Sequence, residues 1–279
     1  ETKARKDSAF ATEDAVYRHW DHNLPMGRVP HLCIMDLKSG RVVDLLEGTD
    51  YELPRREPSA NEFDISADGK SISFVFDPEK AQNAAPRMAL AEIQLKGNKV
   101  IAIRDLVKDP AWDVSGPAYS PAGDQLAFLA SHQALKHTQP NHLALLELPK
   151  PSTSKSSKQA MPWKTISAKW DREPQMPLKW SEDGSALLCK AEDRGRQHVW
   201  RFDIAKTQAT VVTEGGTVHA FDEAAGQLVT LMDKAVHPGR IQVTQVDESG
   251  RSVSSASKRI EHFNDDLLKG IVLGRTEEH

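Results

Sequence analysis

The chain has 279 residues and a mass of 30.9 kDa, which suits one large domain or two small ones. Hydrophobic residues make up 39% and charged residues 27%, a composition typical of soluble globular proteins, and this excludes disorder of the whole chain. The net charge is only −4, and no apolar run approaches the roughly 20 residues of a membrane span. Neither nucleic acid nor a membrane is therefore an expected partner.

The amino-terminal region, residues 1–50, predicts part of a β-structured unit. Residues 31–37 and 41–46 suit a hairpin around the turn Lys-Ser-Gly, and residues 16–20 suit a strand before it. The chain begins with ETKARK and has no initiator Met, so we expect a processed chain or a part of a longer one. The sequence leaves the compartment open between cytoplasm and periplasm.

The two cysteines, Cys33 and Cys189, lie far apart in sequence, each within an apolar, strand-like run. Neither has a histidine-rich neighbourhood with the spacing of a metal finger. We therefore expect two unpaired, buried thiols and no disulfide.

One phrase recurs four times along the rest of the chain. Each copy has an aromatic or apolar run, a polar turn that contains glycine, and a second run with alternating apolar residues. This is the pattern of a β-hairpin whose glycine supplies the positive φ of a tight turn. The copies are FDISADGKSISFVF at 63–76, YSPAGDQLAFLA at 119–130, KWSEDGSALLCK at 179–190 and FDEAAGQLVTLM at 221–232. Successive turn glycines are 54, 61 and 42 residues apart, which suits units of four strands.

A second hairpin is predicted after most copies of the phrase. Its strands fall at 87–95 and 99–107, at 198–204 and 209–213, and at 240–246 and 251–257. After the second copy, residues 142–148 form one strand, and a polar Ser/Lys/Pro-rich insertion at 149–159 obscures the next. The predicted units are a partial blade at 1–50, blades at 51–110, 111–170, 171–216 and 217–260, and a junction at 261–279.

Four-stranded units that repeat without helical periodicity predict an all-β fold, a β-propeller of antiparallel blades. A β-sandwich is the alternative, but it would not need the same turn phrase at equivalent places. The count gives about four full blades and part of a fifth. Since propellers close with typically 4 to 8 blades, an incomplete ring with exposed sheet edges is one expectation.

Several longer strings carry a family resemblance. The S-x-D-G turns resemble WD40-like, TolB-type propeller repeats. The strings VYRHWDHNLPMGRVPHLCIMDLKSGRVVDLLEG, AEDRGRQHVWRFDI and KAVHPGRIQV, followed by RIEHFNDDLLKGIVLGRTEE, are similar to the N-terminal propeller of the prolyl oligopeptidase (S9) family of serine peptidases. Within the family, the acylaminoacyl-peptidase and dipeptidyl-peptidase-like branches are the most similar. The resemblance covers nearly the whole chain outside the insertion.

The resemblance implies a propeller that screens short peptides for a C-terminal α/β-hydrolase domain of the same parent chain, with the catalytic Ser, Asp and His beyond His279. The nucleophile motif G-x-S-x-G does not occur in the 279 residues, so we expect no hydrolysis by this chain alone and assign it no catalytic residue. One alternative is a stand-alone TolB-like scaffold that binds proteins. Another is assembly with a further subunit, such as a homo-oligomer, that completes the ring.

Loops at one face of the predicted blades are the candidate region for substrate contact. When strands are counted outward from the channel, the second-to-third and fourth-to-first connections share the face at which a following domain would begin. The candidate loops are residues 77–86, 131–141, 192–197 and 233–239. Among them Asp193, Arg194 and Arg196 stand out, because a guanidinium can hold a peptide carboxylate or carbonyl through two hydrogen bonds. The alternative is that they are solvated turn charges or an interdomain salt bridge.

Three further residues are weaker candidates for substrate or interdomain contact. His237, beside a proline, is expected in a turn at the interdomain surface. Arg18 and Trp20 lie on the predicted strand at residues 16–20, and packing in the blade core is the alternative for Trp20.

Metal and cofactor binding are not predicted. His132, His137 and His142 share no face of a helix or strand at this spacing, and the segment has no acidic ligands close by. A phosphate-binding loop of the form G-x-x-x-x-G-K-[ST] is missing from the sequence, so a bound nucleotide is not indicated.

Overall fold

The computed structural model describes residues 29–55, 59–78, 87–135, 139–149, 161–253 and 257–274. Within these ranges, antiparallel strands form four four-stranded sheets and one two-stranded sheet. Each four-stranded sheet uses four strands that are consecutive in the chain, and their spatial order follows the sequence. This meander is the blade of a β-propeller, and the predicted all-β propeller is confirmed.

The two-stranded sheet pairs β1 (Cys33–Met35) with β2 (Val42–Asp44). Blade 1 contains β3 (Phe63–Ile65), β4 (Ser71–Phe76), β5 (Ala89–Lys96) and β6 (Lys99–Val107). Blade 2 contains β7 (Trp112–Tyr119), β8 (Gln125–His132), β9 (His142–Glu147) and β10 (Trp163–Thr165). Blade 3 contains β11 (Gln175–Trp180), β12 (Ala186–Asp193), β13 (Arg196–Asp203) and β14 (Gln208–Val211). Blade 4 contains β15 (Thr217–Ala224), β16 (Gln227–Lys234), β17 (His237–Gln245) and β18 (Lys258–Arg259).

Helical structure is sparse. One short α-helix, α1 (Asp265–Leu268), follows blade 4, and 3-10 turns occur at Ala60–Glu62 and Gln133–Leu135. In the part of the chain that the structure describes, no helix has the length and apolar character needed to cross a membrane.

The repeated turn phrase has a clear physical basis. In the first copy, the amide of Gly69 donates to the carbonyl of Ser66 at 2.8 Å, and the amide of Ser71 donates to the Ser66 hydroxyl at 2.9 Å. The same two bonds recur in the second and third copies. Glycine is required because φ at Gly69 is +67°, in the left-handed region. The serine and glycine thus close the link between the first two strands.

Two predicted features differ in the structure. Cys33 is exposed, because strand alternation turns its neighbours Leu32 and Ile34 toward blade 1 and leaves the thiol on the outer side of β1. The expectation of a buried thiol is therefore wrong for Cys33 and confirmed for Cys189. The last strand of blade 4 is not at 251–257 but at Lys258–Arg259, after a longer connection.

Apolar side chains from both faces of the middle blades join neighbouring sheets. On β8, Leu126 and Phe128 pack toward blade 1, whereas Ala127 and Leu129 pack toward blade 3. All four side chains are at most 2% exposed. Because strand residues alternate between the two faces, a continuous apolar run is what a sheet buried on both sides requires.

Polar contacts also join the blades. Tyr119 of blade 2 donates its hydroxyl to Glu92 of blade 1 at 3.0 Å, and Glu92 also accepts from Arg104 at 2.8 Å. Between blades 2 and 3, the indole of Trp180 donates to the carbonyl of Ala118 at 3.0 Å. These bonds satisfy buried polar groups and fix the position of one sheet against the next.

Candidate functional site

The first strands of all four blades line one cavity of about 530 Å³. This shared lining shows that the blades face a common channel. Gly116 on β7 lets blades 2 and 3 approach closely there, since a Cβ at this position would lie 2.7 Å from Cγ of Met176. The volume lies within the roughly 300 to 1,000 Å³ of pockets that bind small ligands.

The channel lining carries both charge signs. Nζ of Lys179 lies 3.0 Å from Oδ1 of Asp222, and the second cavity carboxylate, that of Asp64, accepts the amide of Tyr119 at 2.7 Å. Burial raises the pKa of Asp64. Burial and then the charges of neighbouring carboxylates also raise the pKa of Glu223, which follows Asp222 in the chain. The cavity lining thus has two carboxylates, those of Asp64 and Asp222, and one ammonium, that of Lys179. This balance favours the binding of cations over anions.

Asp193 lies at the end of β12 and is held by an arginine that the sequence analysis missed. Nη2 of Arg172, in the connection from β10 to β11, donates to Oδ1 of Asp193 at 2.8 Å. Nη1 of Arg172 pairs with Asp171 at 2.7 Å. The hydrogen bond to Asp193 raises the pKa of the Arg172 guanidinium. The Arg172–Asp193 bond thus links the loop between β10 and β11 to the turn between β12 and β13. Both loops lie at the same end of the blades, as the sequence predicted.

The two candidate arginines beside Asp193 differ in their settings. Arg194 and Gly195 form the two-residue turn between β12 and β13, with φ of +50° and +72°, and Arg194 is exposed at its tip. Two positive φ values are typical of the tight turns that match the twist of a hairpin. Arg196 begins β13, is half-buried, and lies directly opposite Asp193 in the strand register. Arg194 is therefore the more accessible guanidinium.

His237 begins β17 and is half-buried, and its Nδ1 donates to the carbonyl of Pro238 at 2.9 Å. It follows the hairpin between the second and third strands of blade 4, which corresponds to the Arg194 turn of blade 3. Arg18 and Trp20 lie outside the described residues and stay predictions. The structure thus places Asp193, Arg194, Arg196 and His237 at corresponding ends of two adjacent blades.

Two charged residues of the site gave no usable signal in the sequence. Arg172 lies in an irregular stretch between strands, and Lys179 immediately precedes a tryptophan in the repeated phrase. Their partners, Asp193 and Asp222, are 21 and 43 residues further along the chain. A spacing that arises from sheet packing cannot be read from local periodicity.

The histidines weighed above as metal ligands are His132, His137 and His142, and the two that the structure describes lie in or beside strands. His132 packs edge-on against Trp112, with ring centroids 4.8 Å apart, and His142 begins β9. His137 lies outside the described residues. Among the residues that the structure describes, no three His, Cys, Asp or Glu side chains are grouped as metal ligands.

Comparison with solved structures defines the class of fold. The chain superposes on TolB from Acinetobacter baumannii with a TM-score of 0.52 and 14% identity, covering 79% of this chain and 47% of that one. A puromycin-hydrolyzing peptidase of Mycobacterium tuberculosis gives a TM-score of 0.51 and 16% identity, covering 77% of this chain and 33% of that one. The fold is therefore a TolB-like β-propeller of the kind also found in a peptidase.

Comparison of sequences points to one group of relatives. The chain is 24% identical over 238 residues to dipeptidyl-peptidase 5 of Aspergillus fumigatus, covering 75% of this chain and 30% of that protein. The chain thus spans less than a third of the length of this relative. No protein-family model matches it. Together with the structural comparisons, this match confirms the resemblance to the propellers of S9 peptidases that the sequence strings predicted.

Proposed function

We propose that this chain is the non-catalytic propeller portion of an S9-type serine peptidase that acts on short peptides. The observation that carries the proposal is the alignment with dipeptidyl-peptidase 5, which takes in 75% of this chain and only 30% of the relative. The reacting groups would then lie in a C-terminal α/β-hydrolase domain of the same polypeptide. The role of the propeller is to select what reaches them.

The channel supports a role in size selection. Its cavity of about 530 Å³ suits a short extended segment, whereas a folded domain is far too large to enter. The carboxylates of Asp64 and Asp222 favour a positively charged group, such as the protonated amino terminus of a peptide. An unfolded or short peptide with a free amino terminus fits both properties.

The hairpin face supports contact with the peptide or with the following domain. In this proposal Arg172 holds Asp193 in place, and the exposed Arg194 is the group that holds a peptide carboxylate or carbonyl. Arg196 and His237 lie beside this contact. A guanidinium presents a planar set of donors that matches these acceptors, which a lysine would not.

The first experiment compares the 279-residue chain with the longer polypeptide read from the parent gene, using a chromogenic dipeptide substrate. The longer polypeptide should contain G-x-S-x-G and hydrolyse the substrate, and a serine-directed fluorophosphonate should stop the reaction. The 279-residue chain should show no turnover. Hydrolysis by the short chain that the fluorophosphonate blocks would refute the assignment as a non-catalytic portion.

The second experiment tests the hairpin face in the longer polypeptide. Arg194→Ala should raise KM several-fold and leave kcat nearly unchanged, because it removes binding that is common to ground state and transition state. Arg41→Ala, which removes an exposed arginine beside β2, is the matched control and should change neither constant. Equal effects of the two variants would remove Arg194 from the site.

A stand-alone binding scaffold is the second candidate function. The superposition on TolB, which covers 79% of this chain, favours it. It would be supported by a reading frame without a hydrolase domain and by a protein partner that binds the hairpin face. The reading frame of the parent gene therefore separates the two candidates.

A further inference from the structure

The chain after blade 4 carries a concentration of exposed apolar side chains. Isolated exposed apolar residues are normal on a folded protein, but a group of them marks a surface that another surface covers. Among the described residues, sixteen large apolar side chains are exposed, and six of these lie within 14 consecutive residues. They are Ile260, Phe263, Leu267, Ile271, Val272 and Leu273. We call residues 260–273 the carboxy-terminal segment.

Polar contacts hold the first half of this segment against blade 4. Arg259, the last residue of β18, donates from Nε to the carboxylate of Glu261 at 2.7 Å. Its Nη1 lies 2.6 Å from Oδ1 of Asp265, at the start of α1. Glu261 is buried and also accepts the amide of Phe263 at 3.0 Å. The exposed ring of Phe263 is therefore presented from a fixed backbone.

The two most exposed side chains of the segment lie near its opposite ends. Val272 is 96% exposed and Phe263 is 80% exposed. Val272 belongs to the apolar run Ile-Val-Leu at 271–273, which follows α1 after a turn at Gly270, where φ is +83°. Such runs of β-branched residues favour strands that pair with or pack on a sheet. Both ends of the segment thus present apolar groups that the described chain leaves uncovered.

We propose that the carboxy-terminal segment is the docking surface for the domain that follows it in the same polypeptide. This inference rests on the proposed function, in which an α/β-hydrolase domain follows the propeller. Each residue adds at most about 3.6 Å to a chain, so the residue after His279 would lie within about 22 Å of Gly274. The following domain is thus held beside the segment, and its contact is intramolecular, at high effective concentration. A second copy of this chain has no such advantage.

The chemistry of the segment indicates what the following domain presents to it. Arg259, Glu261 and Asp265 already use their charges on one another, so the contact depends on apolar burial rather than on ion pairs. The matching surface is therefore apolar, with a recess that takes a phenyl ring. Burial of one large apolar side chain shifts a docking equilibrium by roughly tenfold to a hundredfold. Loss of Phe263 alone should therefore have a measurable effect.

Hydrogen exchange followed by mass spectrometry tests the docking in the 279-residue chain and in the longer polypeptide. The amides of residues 263–273 should exchange at least about tenfold more slowly in the longer polypeptide, because docking covers them. Phe263→Ser and Val272→Ser should each remove most of this protection and leave the exchange of the short chain unchanged. Leu37→Ser is the matched control, since Leu37 is 88% exposed in the turn between β1 and β2, and it should change neither protein.

The same samples separate this inference from the proposed function. Hydrolysis of the chromogenic dipeptide by the unsubstituted longer polypeptide tests the function, whereas protection of residues 263–273 tests the docking. Hydrolysis without protection, or protection that both variants retain, would overturn the docking surface alone. Protection without hydrolysis would support the docking and refute the peptidase assignment, and the absence of both would refute both.

A second copy of the chain is the competing occupant, and sedimentation velocity of the 279-residue chain tests it. The short chain should stay monomeric over about 1 to 100 µM, a range in which weak dimers dissociate. A dimer that Phe263→Ser abolishes would identify another copy as the cover and would overturn the proposal.

Discussion

Replacing Arg104 by methionine should destabilise the fold, because it leaves the buried Glu92 carboxylate of blade 1 without its cation. Glu92 is 3% exposed, and its carboxylate lies 2.8 Å from Nε and 2.7 Å from Nη2 of Arg104, and 3.0 Å from the hydroxyl of Tyr119. Breaking a buried pair costs about 3 to 5 kcal/mol. Arg104 is 34% exposed, and Tyr119 would still donate to Glu92, so we expect the loss to be nearer 2 to 3 kcal/mol.

Urea denaturation followed by tryptophan fluorescence measures this change, since the chain has six tryptophans. The double variant Glu92→Met with Arg104→Met removes both charges and should recover about 1 to 2 kcal/mol relative to Arg104→Met alone. Arg251→Met is the control, because Arg251 is 53% exposed and lies 3.8 Å from Asp203, and it should cost less than about 1 kcal/mol. The reasoning fails if Arg104→Met costs no more than the control, or if the double variant is less stable than the single one.

Further predictions concern thiols, glycines and pH. Burial raises the pKa of Cys189 to about 12, whereas Cys33 is exposed, so Ellman's reagent should titrate one thiol in the folded protein and two in urea. Gly116→Ala should lower the free energy of unfolding by about 2 to 3 kcal/mol, since φ is +60° and the new Cβ would lie 2.7 Å from the side chain of Met176. Gly69→Ala is the comparison, because φ is +67° but no atom lies within 4 Å of the new Cβ, and it should lower this free energy by about 1 kcal/mol. Similar losses in the two glycine variants would contradict this account. The pKa of Asp64 is raised by burial, so the folded state binds more protons than the unfolded state between the ordinary value of 3.8 and the raised one. The free energy of unfolding of the wild type, relative to that of Asp64→Asn, should therefore fall as pH rises through this window. If the free energies of the two proteins change with pH in parallel, the effect is excluded.

The candidate site was predicted only where it depends on local chain geometry. Asp193, Arg194 and Arg196 were predicted as candidates because a tight turn with charges between two strands is visible in the sequence. The role of Arg172 was missed, since its bond to Asp193 arises only when the loop before blade 3 returns over the end of β12. The pairing of Lys179 with Asp222 across the channel was missed for the same reason.

The sequence by itself determined the blade. Ser66 and Gly69 close their turn through bonds that span only a few residues, and strand alternation sets which side chains share a face. Only the tertiary structure decided which of those faces is buried, because burial depends on the neighbouring sheet and not on the strand that carries the side chain. Ala127 and Val229 occupy equivalent positions, yet Ala127 is fully buried against blade 3 and Val229 is only half-buried. The exposure of Cys33 has the same cause.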